Sequence, residues 1–232
     1  MNVSSTLRML DASRVSKIVP GTSAGTLGIP CWKRRFDVIL AVLTLPLILP
    51  VVVLAALWIK AVSPGPAIFR QGRVGHRGQS FVLLKLRTMK MDADVKCHTR
   101  HFKRLVAQRK PLVKLDQLGD SRLIRGGSLL RASGIDELPQ WINILRGEMS
   151  WVGPRPCLPQ ELSCFRGNRG LRFFMRPGLT GLWQSEGGSL ASFDQMNAMD
   201  ARYLIEADWQ MDLAILCRTP RAALARIRAL FN

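Results

Sequence analysis

The sequence predicts an α+β fold, mainly helical, with an apolar N-terminal segment, a small β-hairpin and a helical remainder. Three observations lead to this prediction. Residues 38–59 form a run of 22 residues without a charged side chain. Residues 67–89 contain two strand-like segments around a turn with glycines. Most of the chain beyond residue 92 shows apolar residues at helical spacing, and 232 residues suit one domain with appendages.

The chain is strongly basic, with 34 Lys and Arg against 16 Asp and Glu, a formal net charge of +18. Such an excess indicates an anionic partner: nucleic acid, an anionic membrane surface or a phosphorylated substrate. The five cysteines include no C-x-x-C pair. This odd count argues against a disulfide framework and a zinc site, and it fits a reducing compartment.

Residues 1–30 mix Ser, Gly and Thr with scattered charges and contain no long apolar run. They lack the features of a secretory signal, and we predict a disordered tail. Because residues 38–59 are apolar on every face, insertion into a membrane is favoured over burial as a core helix. About 20 apolar residues suffice to cross the hydrocarbon core.

Two features argue against a simple span. Pro46 and Pro50 lie inside the apolar run, where each removes a backbone donor. Basic residues flank it on both sides, in 33–35 and at Lys60, which indicates that both ends lie on the cytoplasmic face. A helix broken at the prolines that enters and returns through one leaflet is favoured. A proline-kinked span remains open.

The elements that follow can be placed in order. Residues 67–74 and 80–89 are predicted strands, with Gly75 and Gly78 in the turn between them. Helices are predicted over 92–118, 120–133, 138–146 and 193–209, and a Pro/Gly-rich loop over 174–189. Residues 211–232 alternate apolar residues with arginines, which is typical of an amphipathic helix. Contact with an anionic membrane and simple solvation of its basic face both remain open.

The adjacent acids Asp136 and Glu137 precede Pro139, at the predicted start of a helix that ends at Gly147. An aspartate at this position commonly caps the helix. The helix dipole keeps such a carboxylate ionised, and an ionised carboxylate is also the nucleophile of covalent phosphoryl chemistry. Capping and catalysis therefore both remain open at this point. The pair is also a plausible anchor for Mg²⁺, which takes one or two carboxylates together with substrate phosphates.

Cations on the neighbouring elements support phosphate chemistry, because attack on a phosphate requires its oxygens to be neutralised. Arg155 lies between Pro154 and Pro156, so its backbone has little freedom. The full set comprises Lys85, Arg87, Arg125, Arg131, Arg155 and Arg176. Neither G-x-x-x-x-G-K-[ST] nor a G-x-G-x-x-G that opens a helix occurs, so neither common nucleotide-binding loop is predicted.

Five motifs occur in one order: "KRRFDVILAV", "SPGPAIFRQGRVG", "FVLLKLRTM", "IDELPQWINILRGEMSWVGPRP" and "RPGLTGLWQ". In this order they resemble the bacterial sugar transferases, the monotopic polyprenyl-phosphate phosphoglycosyl transferases. The resemblance runs from about residue 33 to the C-terminal helix. The small size is most similar to the short forms that initiate exopolysaccharides as galactosyl- or glucosyl-1-phosphate transferases.

The resemblance implies a mechanism and a set of site residues. An aspartate attacks the sugar-bearing phosphate of a UDP-sugar and expels UMP, and the phosphosugar then passes to undecaprenyl phosphate. Asp136 would be the nucleophile and Glu137 its partner at a Mg²⁺ site. The expected phosphate-binding residues are Lys85, Arg131 and Arg155, which match family positions, with Arg176 of the Pro/Gly-rich loop added.

The resemblance also implies an arrangement in the cell. Residues 31–62 would form the re-entrant membrane helix, with its break at Pro46 or Pro50, and 63–232 a cytoplasmic catalytic domain on the bacterial inner membrane. The expected partners are UDP-glucose or UDP-galactose, undecaprenyl phosphate and the cytoplasmic leaflet, with downstream glycosyltransferases and a homodimer as further expectations. No specific nucleic acid is expected. This would be the first membrane step of exopolysaccharide biosynthesis.

Three residues depart from the family pattern. Leu49 replaces the serine usual before the proline of the break, Gly134 replaces a serine two residues before the nucleophile, and Gly188 replaces an arginine. Two other classes of function remain as alternatives. One is a non-catalytic membrane scaffold of a polysaccharide assembly complex. The other is a membrane-tethered nucleic-acid binder, against which the single tyrosine and the placement of the tryptophans argue.

Overall fold

The structure, a computed structural model, describes residues 29–91, 96–108, 110–111, 122–165, 167–186 and 192–231. Almost all of the predicted N-terminal tail, the departure at Gly188 and parts of the helix predicted over 92–118 lie outside these ranges. The described chain combines many helices with two short two-stranded sheets. This confirms the mixed, mainly helical fold class.

The first helix, α1 (Cys31–Val62), has 32 residues and includes both Pro46 and Pro50. At 1.5 Å per residue its contour is about 48 Å, longer than the hydrocarbon core is thick. Among the described residues, this one helix is long and apolar enough to cross a membrane, judged by length and composition. Its path through the lipid, re-entrant or spanning, stays a prediction.

Apolar side chains on one side of α1 pack against the rest of the protein. Ala41 and Ile59 are buried, and Ile48 and Val52 between them are partly buried against two different hydrophobic clusters. The leucines on the other side are exposed; they include Leu43, Leu47, Leu54 and Leu57. Exposed leucines in such density are typical of a surface that meets lipid or another protein.

The predicted hairpin is confirmed. Strands β1 (Ile68–Val74) and β2 (Ser80–Leu86) pair antiparallel, from Ile68 opposite Leu86 to Val74 opposite Ser80. A short 3-10 helix, His76–Gly78, makes the turn, with Gly78 at φ 70°. A positive φ favours glycine, which explains this residue in the turn.

The helices beyond the hairpin largely follow the predictions. They are α2 (Lys96–Ala107), α3 (Gly127–Ser133), α4 (Trp141–Arg146), α5 (Leu182–Glu186), α6 (Phe193–Glu206) and α7 (Trp209–Arg228). Further 3-10 helices cover Ile135–Gln140, Pro159–Cys164 and Gly167–Phe174. The prediction of a loop over 174–189 is wrong in part, because β4 (Gly178–Thr180) and α5 lie within it.

Strand β4 pairs in parallel with β3 (Ser150–Val152), and neither strand was predicted from the sequence. The pairing of β3 with β4 extends to Gly153, just after β3, whose N–H donates to the Thr180 carbonyl at 2.9 Å. A Cβ on Gly153 would lie 2.4 Å from the carbonyl oxygen of Arg176, so only glycine fits there. The two chain segments that meet here are thereby held at backbone distance.

A buried ionic network joins the start of α1 to α7. The Lys33 ammonium contacts Asp212 Oδ2 at 2.5 Å, and the two side chains are 1% and 0% exposed. The Tyr203 hydroxyl donates to Asp212 Oδ1. Nearby, Asp37 Oδ1 accepts hydrogen bonds from the Ser150 hydroxyl at 2.8 Å and the Trp151 N–H at 3.0 Å. The beginning of α1 is therefore built into the core.

Candidate active site

The two adjacent acids lie on the 3-10 helix Ile135–Gln140, which leads directly into α4. Asp136 is 7% exposed, and both acids lie in the first turn of the 3-10 helix. The N-cap position belongs to Gly134, so Asp136 lies next to the cap and does not occupy it. As predicted from sequence, α4 ends at Gly147, which has φ 80°.

The structure supplies a reason for Gly134, which departs from the pattern of the family that the sequence resembles. This residue ends α3 and begins the 3-10 helix with φ 78° and ψ 6°, a left-handed conformation that favours glycine. Its N–H donates to the Arg131 carbonyl and its own carbonyl accepts from Glu137 N–H at 3.0 Å. The glycine therefore sets the direction in which the acid pair leaves α3.

We expect Gly134→Ser to lower the free energy of unfolding by about 1–2 kcal/mol, because a side chain disfavours this φ. The nearest atom to an added Cβ is Arg226 Nη2 at 4.0 Å, so the cost is conformational and not steric. Thermal unfolding of the detergent-solubilised protein measures it. Gly72→Ser, with nothing within 4 Å of its added Cβ and a β-strand backbone, is the matched control. Equal unfolding temperatures for the two variants would contradict the explanation.

Glu137 is paired with the hairpin. Lys85 Nζ on β2 contacts Glu137 Oε1 at 2.7 Å, and the two side chains are partly exposed. Like Asp136, both residues line a cleft with a volume of about 770 Å³. The structure thus brings the predicted acid pair and the predicted phosphate-binding Lys85 to one cavity.

The walls of this cleft are strongly basic. Among the described residues, its lining holds eight cationic side chains and two carboxylates, those of Asp136 and Glu137. The cations are Arg70, Arg73, Lys85, Arg87, Lys90, Arg122, Arg131 and Arg155. Three of the four predicted phosphate-binding residues, Lys85, Arg131 and Arg155, therefore lie around the acid pair.

The fourth, Arg176, does not line the cleft. Burial and the nearby Arg34 lower its pKa, while Asp37 acts in the opposite direction. Its Nη1 is buried and makes no hydrogen bond. Arg176 therefore lies on the side of the start of α1, and its phosphate-binding role stays a prediction.

Arg87 lines the cleft but is engaged in a structural contact. Its Nε donates to the Pro66 carbonyl at 2.7 Å, and its two terminal nitrogens donate to the Ser63 hydroxyl and carbonyl at 3.0 Å. These acceptors follow the end of α1 directly. The residue therefore fastens the segment that follows α1 to the end of the hairpin.

The Gly-Pro-Arg-Pro loop is held by its backbone. Four consecutive carbonyls, of residues 154–157, each accept a hydrogen bond from a different part of the chain. The donors are Gly178 N–H at 2.9 Å, Arg172 Nη2 at 2.7 Å, Arg73 Nη1 at 3.0 Å and Val74 N–H at 2.9 Å. The rigidity predicted for Arg155 from its flanking prolines is thus reinforced by tertiary contacts.

Two of these donors are arginines whose roles the sequence did not indicate. Arg73 is nearly buried in the cleft wall, and burial, with the nearby Arg155, lowers its pKa to about 10, so it stays charged at neutral pH. Arg172 lies behind the loop, where its Nη2 is 3.2 Å from Asp200 Oδ2. No local signal in the sequence marks either arginine, because Arg73 is three residues from Arg70 on β1 and follows no alternating pattern.

The pair of Arg172 and Asp200 makes stability depend on pH. Burial raises the pKa of Asp200 to about 6, above its ordinary value of 3.8, although Arg172 acts in the opposite direction. A carboxyl with a raised pKa stabilises the fold fully below its ordinary pKa and loses that contribution as pH rises through 6. We expect the unfolding temperature to fall between about pH 4 and 6.5, by the equivalent of about 1–3 kcal/mol.

The measurement is thermal unfolding over this pH range for the protein and for Asp200→Asn. The variant removes the titrating group, so its unfolding temperature is expected to vary less with pH. An identical pH profile for both proteins would show that Asp200 does not titrate in this range.

Comparison with known proteins agrees with this geometry. A family model described as "Bacterial sugar transferase" matches residues 29–226, most of the chain. The chain belongs to the bacterial sugar transferase family. This confirms the family expected from the ordered motifs, and with it that the protein is an enzyme.

Three named relatives show which members of the family this transferase is similar to. It is 41% identical over 208 residues to the UDP-glucose:undecaprenyl-phosphate glucose-1-phosphate transferase of Caulobacter vibrioides, which covers 86% of this chain and 72% of the relative. It is 38% identical to the exopolysaccharide production protein ExoY of Sinorhizobium fredii, over 84% of this chain and 86% of the relative. The undecaprenyl-phosphate galactose phosphotransferase of Salmonella typhimurium is 32% identical, over 84% of this chain and 40% of the relative.

The transferase contains residues that suit the Mg²⁺ expected from the sequence. Among the residues that the structure describes, no group of three or more His, Cys, Asp or Glu side chains is placed to hold a metal ion. Mg²⁺ does not require such a group, because it commonly takes one or two carboxylates together with substrate phosphates and water. Asp136 and Glu137 face one cleft and offer oxygen atoms alone, so the donor set fits.

Proposed function

We propose that the transferase moves a hexose-1-phosphate from UDP-glucose or UDP-galactose to undecaprenyl phosphate and releases UMP. One observation carries this proposal: the nearly buried Asp136 lies in a cleft lined, within the described part of the chain, by eight cations. A substrate with two phosphates matches that charge. The names of the relatives support undecaprenyl phosphate as acceptor and glucose or galactose as the sugar.

The proposed chemistry has two displacements at one phosphorus atom. In the first, a carboxylate oxygen of Asp136 attacks the sugar-bearing phosphate, the bond to the bridging oxygen breaks, and UMP leaves with the electron pair. In the second, a phosphate oxygen of undecaprenyl phosphate attacks the same phosphorus. Asp136 then leaves as a carboxylate, and the product is undecaprenyl diphosphate carrying the sugar.

The other residues of the cleft position the substrate and neutralise the charge of its phosphates. Arg131 and Arg155 can pair with the oxygens of the diphosphate, and a planar guanidinium suits two phosphate oxygens at once. Lys85 holds Glu137 at 2.7 Å, which fixes this carboxylate beside the nucleophile. With cations on several walls, the negative charge that develops at the phosphorus is stabilised without reorganisation of the site.

We propose that Asp136 and Glu137 together hold Mg²⁺, which when bound supplies additional positive charge to the diphosphate. Glu137 would serve as the more permanent ligand, because one carboxylate oxygen of Asp136 would be bonded to phosphorus in the covalent intermediate. Addition of EDTA is expected to abolish UMP release, and excess Mg²⁺ to restore it. Full activity in EDTA would contradict the metal site.

We also propose that α1 enters the cytoplasmic leaflet of the inner membrane and returns to the same face. Support comes from both of its ends, which contact the same body: Arg34 donates to the Ile144 and Leu145 carbonyls, and Trp58 Nε1 donates to the Arg125 carbonyl at 3.2 Å. The outward leucines between these ends would lie in the lipid. A homodimer and contacts with downstream glycosyltransferases stay predictions.

The topology can be tested with single cysteines in an otherwise cysteine-free protein. Cys31 at the start of α1 and Pro64→Cys just after its end are both exposed. In inverted membrane vesicles, a membrane-impermeant maleimide is expected to label both. Labelling of one in inverted vesicles and of the other in right-side-out vesicles would show that α1 spans the membrane.

The reaction is tested by UMP release from a panel of UDP-sugars, with and without undecaprenyl phosphate. We expect turnover with UDP-glucose or UDP-galactose when the acceptor is present. Without the acceptor, a covalent intermediate predicts a burst of about one UMP per enzyme. UMP release that strictly requires the acceptor would contradict the intermediate. If no UDP-sugar releases UMP, the non-catalytic scaffold is supported instead.

A further inference from the structure

Arg172 lies outside the cleft, yet it contacts the loop that carries Arg155. Its Nη2 donates to the Arg155 carbonyl at 2.7 Å, and the same nitrogen lies 3.2 Å from Asp200 Oδ2. We propose that Arg172 and Asp200 are a positioning pair that fixes Arg155 for phosphate binding in the cleft. This inference rests on the proposed function.

The position of Arg172 is determined from three sides. Its guanidinium lies 4.4 Å from the centre of the Phe165 ring, and that ring in turn packs edge-on against Phe173. The contact with Asp200 on α6 is enclosed, because both side chains are 4% exposed. A stacked and paired guanidinium has few alternative rotamers, so its hydrogen bond to the loop is directed.

The buried Asp200 carboxylate also supports the hydrogen bond from Arg172 to the Arg155 carbonyl by balancing the arginine's charge. An unpaired arginine in this place would be costly, because a buried charge requires a partner. The Asp200 Oδ2 atom has no well-aligned hydrogen bond, although it lies within ion-pair distance of Arg172. The guanidinium therefore directs its aligned N–H to the Arg155 carbonyl, while Asp200 balances the charge.

A hydrogen bond to the Arg155 carbonyl can control where the Arg155 side chain points. Pro154 has a fixed φ, and Pro156 restricts the residue before it to extended conformations, so the Arg155 carbonyl has few possible orientations. The hydrogen bond from Arg172 selects one of them. Arg155 has a long side chain, so a small rotation at its backbone displaces the guanidinium by much more. A displacement of about 1 Å in a positioning group can cost about 100-fold in rate.

The competing explanation is that the pair only stabilises the fold. A double-mutant cycle separates the two, because a positioning effect requires Arg155 to be present. The variants are Asp200→Asn, Arg155→Ala and the double variant, assayed as full-length protein in detergent with undecaprenyl phosphate and the best UDP-sugar of the panel. Glu206→Gln is the matched control, since it removes the exposed pair of Arg202 and Glu206 on the same helix.

We expect Asp200→Asn to lower kcat/KM by about 10-fold in the presence of Arg155, mainly through KM for the UDP-sugar. In the Arg155→Ala background, the same substitution is expected to change kcat/KM by less than about twofold. The Glu206→Gln control is expected to match the unaltered protein. An equal loss in both backgrounds would overturn the proposal, because it would show that the pair acts without Arg155.

Hydrogen exchange over residues 153–158 gives a readout that does not depend on turnover. Exchange in this loop is expected to be faster in Asp200→Asn than in Glu206→Gln. Arg172→Lys keeps the charge without the planar fork, and it replaces Asp200→Asn in both experiments if that variant does not fold. If the unaltered protein releases no UMP, the proposed function fails. The positioning role is overturned separately if hydrogen exchange in the loop is the same in Asp200→Asn as in Glu206→Gln.

Discussion

Asp136→Asn is expected to abolish sugar-phosphate transfer, with a loss of about 10⁴-fold or more. Asparagine keeps the size of the side chain but lacks the anionic oxygen that attacks the phosphorus. The burst of UMP in the absence of acceptor is expected to disappear as well. Because Asp136 is 7% exposed, the substitution changes charge inside the cleft and leaves the outer surface intact.

The matched control is Asp194→Asn, since Asp194 is an exposed acid in the first turn of α6. It is expected to retain transfer activity. The measurement is UMP release from the active UDP-sugar, together with thermal unfolding to show that both variants are folded. Full activity of Asp136→Asn would exclude this residue as the nucleophile, even if the family reaction occurs.

Lys33→Met is expected to have the largest effect on stability, a loss of about 3–5 kcal/mol. The substitution leaves the carboxylate of Asp212, which is 0% exposed, without its cation at 2.5 Å. Burial already raises the pKa of Asp212, and Lys33 is the strongest opposing influence. Thermal unfolding in detergent measures the loss.

Two comparisons decide whether the buried pair causes this loss. Lys33→Met combined with Asp212→Leu removes both charges and is expected to recover much of the stability. Arg218→Gln removes the exposed pair of Arg218 and Glu186 and is expected to cost less than about 1 kcal/mol. A loss for Lys33→Met no larger than that for Arg218→Gln would contradict the importance of the network.

The parts of the fold that local signals encode could be predicted from the sequence. Turn glycines and alternating strands placed the hairpin, and Gly147 placed the end of α4. Phosphate chemistry gave a set of candidate cations, and the resemblance to a known family selected Lys85 and Arg155 among them. The structure brings both to one cleft with Asp136.

Features that depend on distant contacts could not be predicted. The strands β3 and β4 have three residues each, too few for a periodic pattern, and glycines such as Gly153 allow their approach. Arg73 and Pro156 are 83 residues apart, and Arg172 and Arg155 are 17 apart in a segment without regular spacing. The left-handed φ of Gly134 was also invisible, because it depends on how two helices meet.

The contacts of α1 have a practical consequence for work with this protein. A shortened chain that starts after Val62 would lack Lys33, Arg34 and Asp37. It would leave Asp212 without its cation and the Ile144 and Leu145 carbonyls without their donors. Deletion of α1 to obtain a water-soluble fragment is therefore expected to yield an unfolded or aggregated product. Purification and crystallisation should therefore retain α1 and use a detergent or nanodisc to cover its exposed leucines.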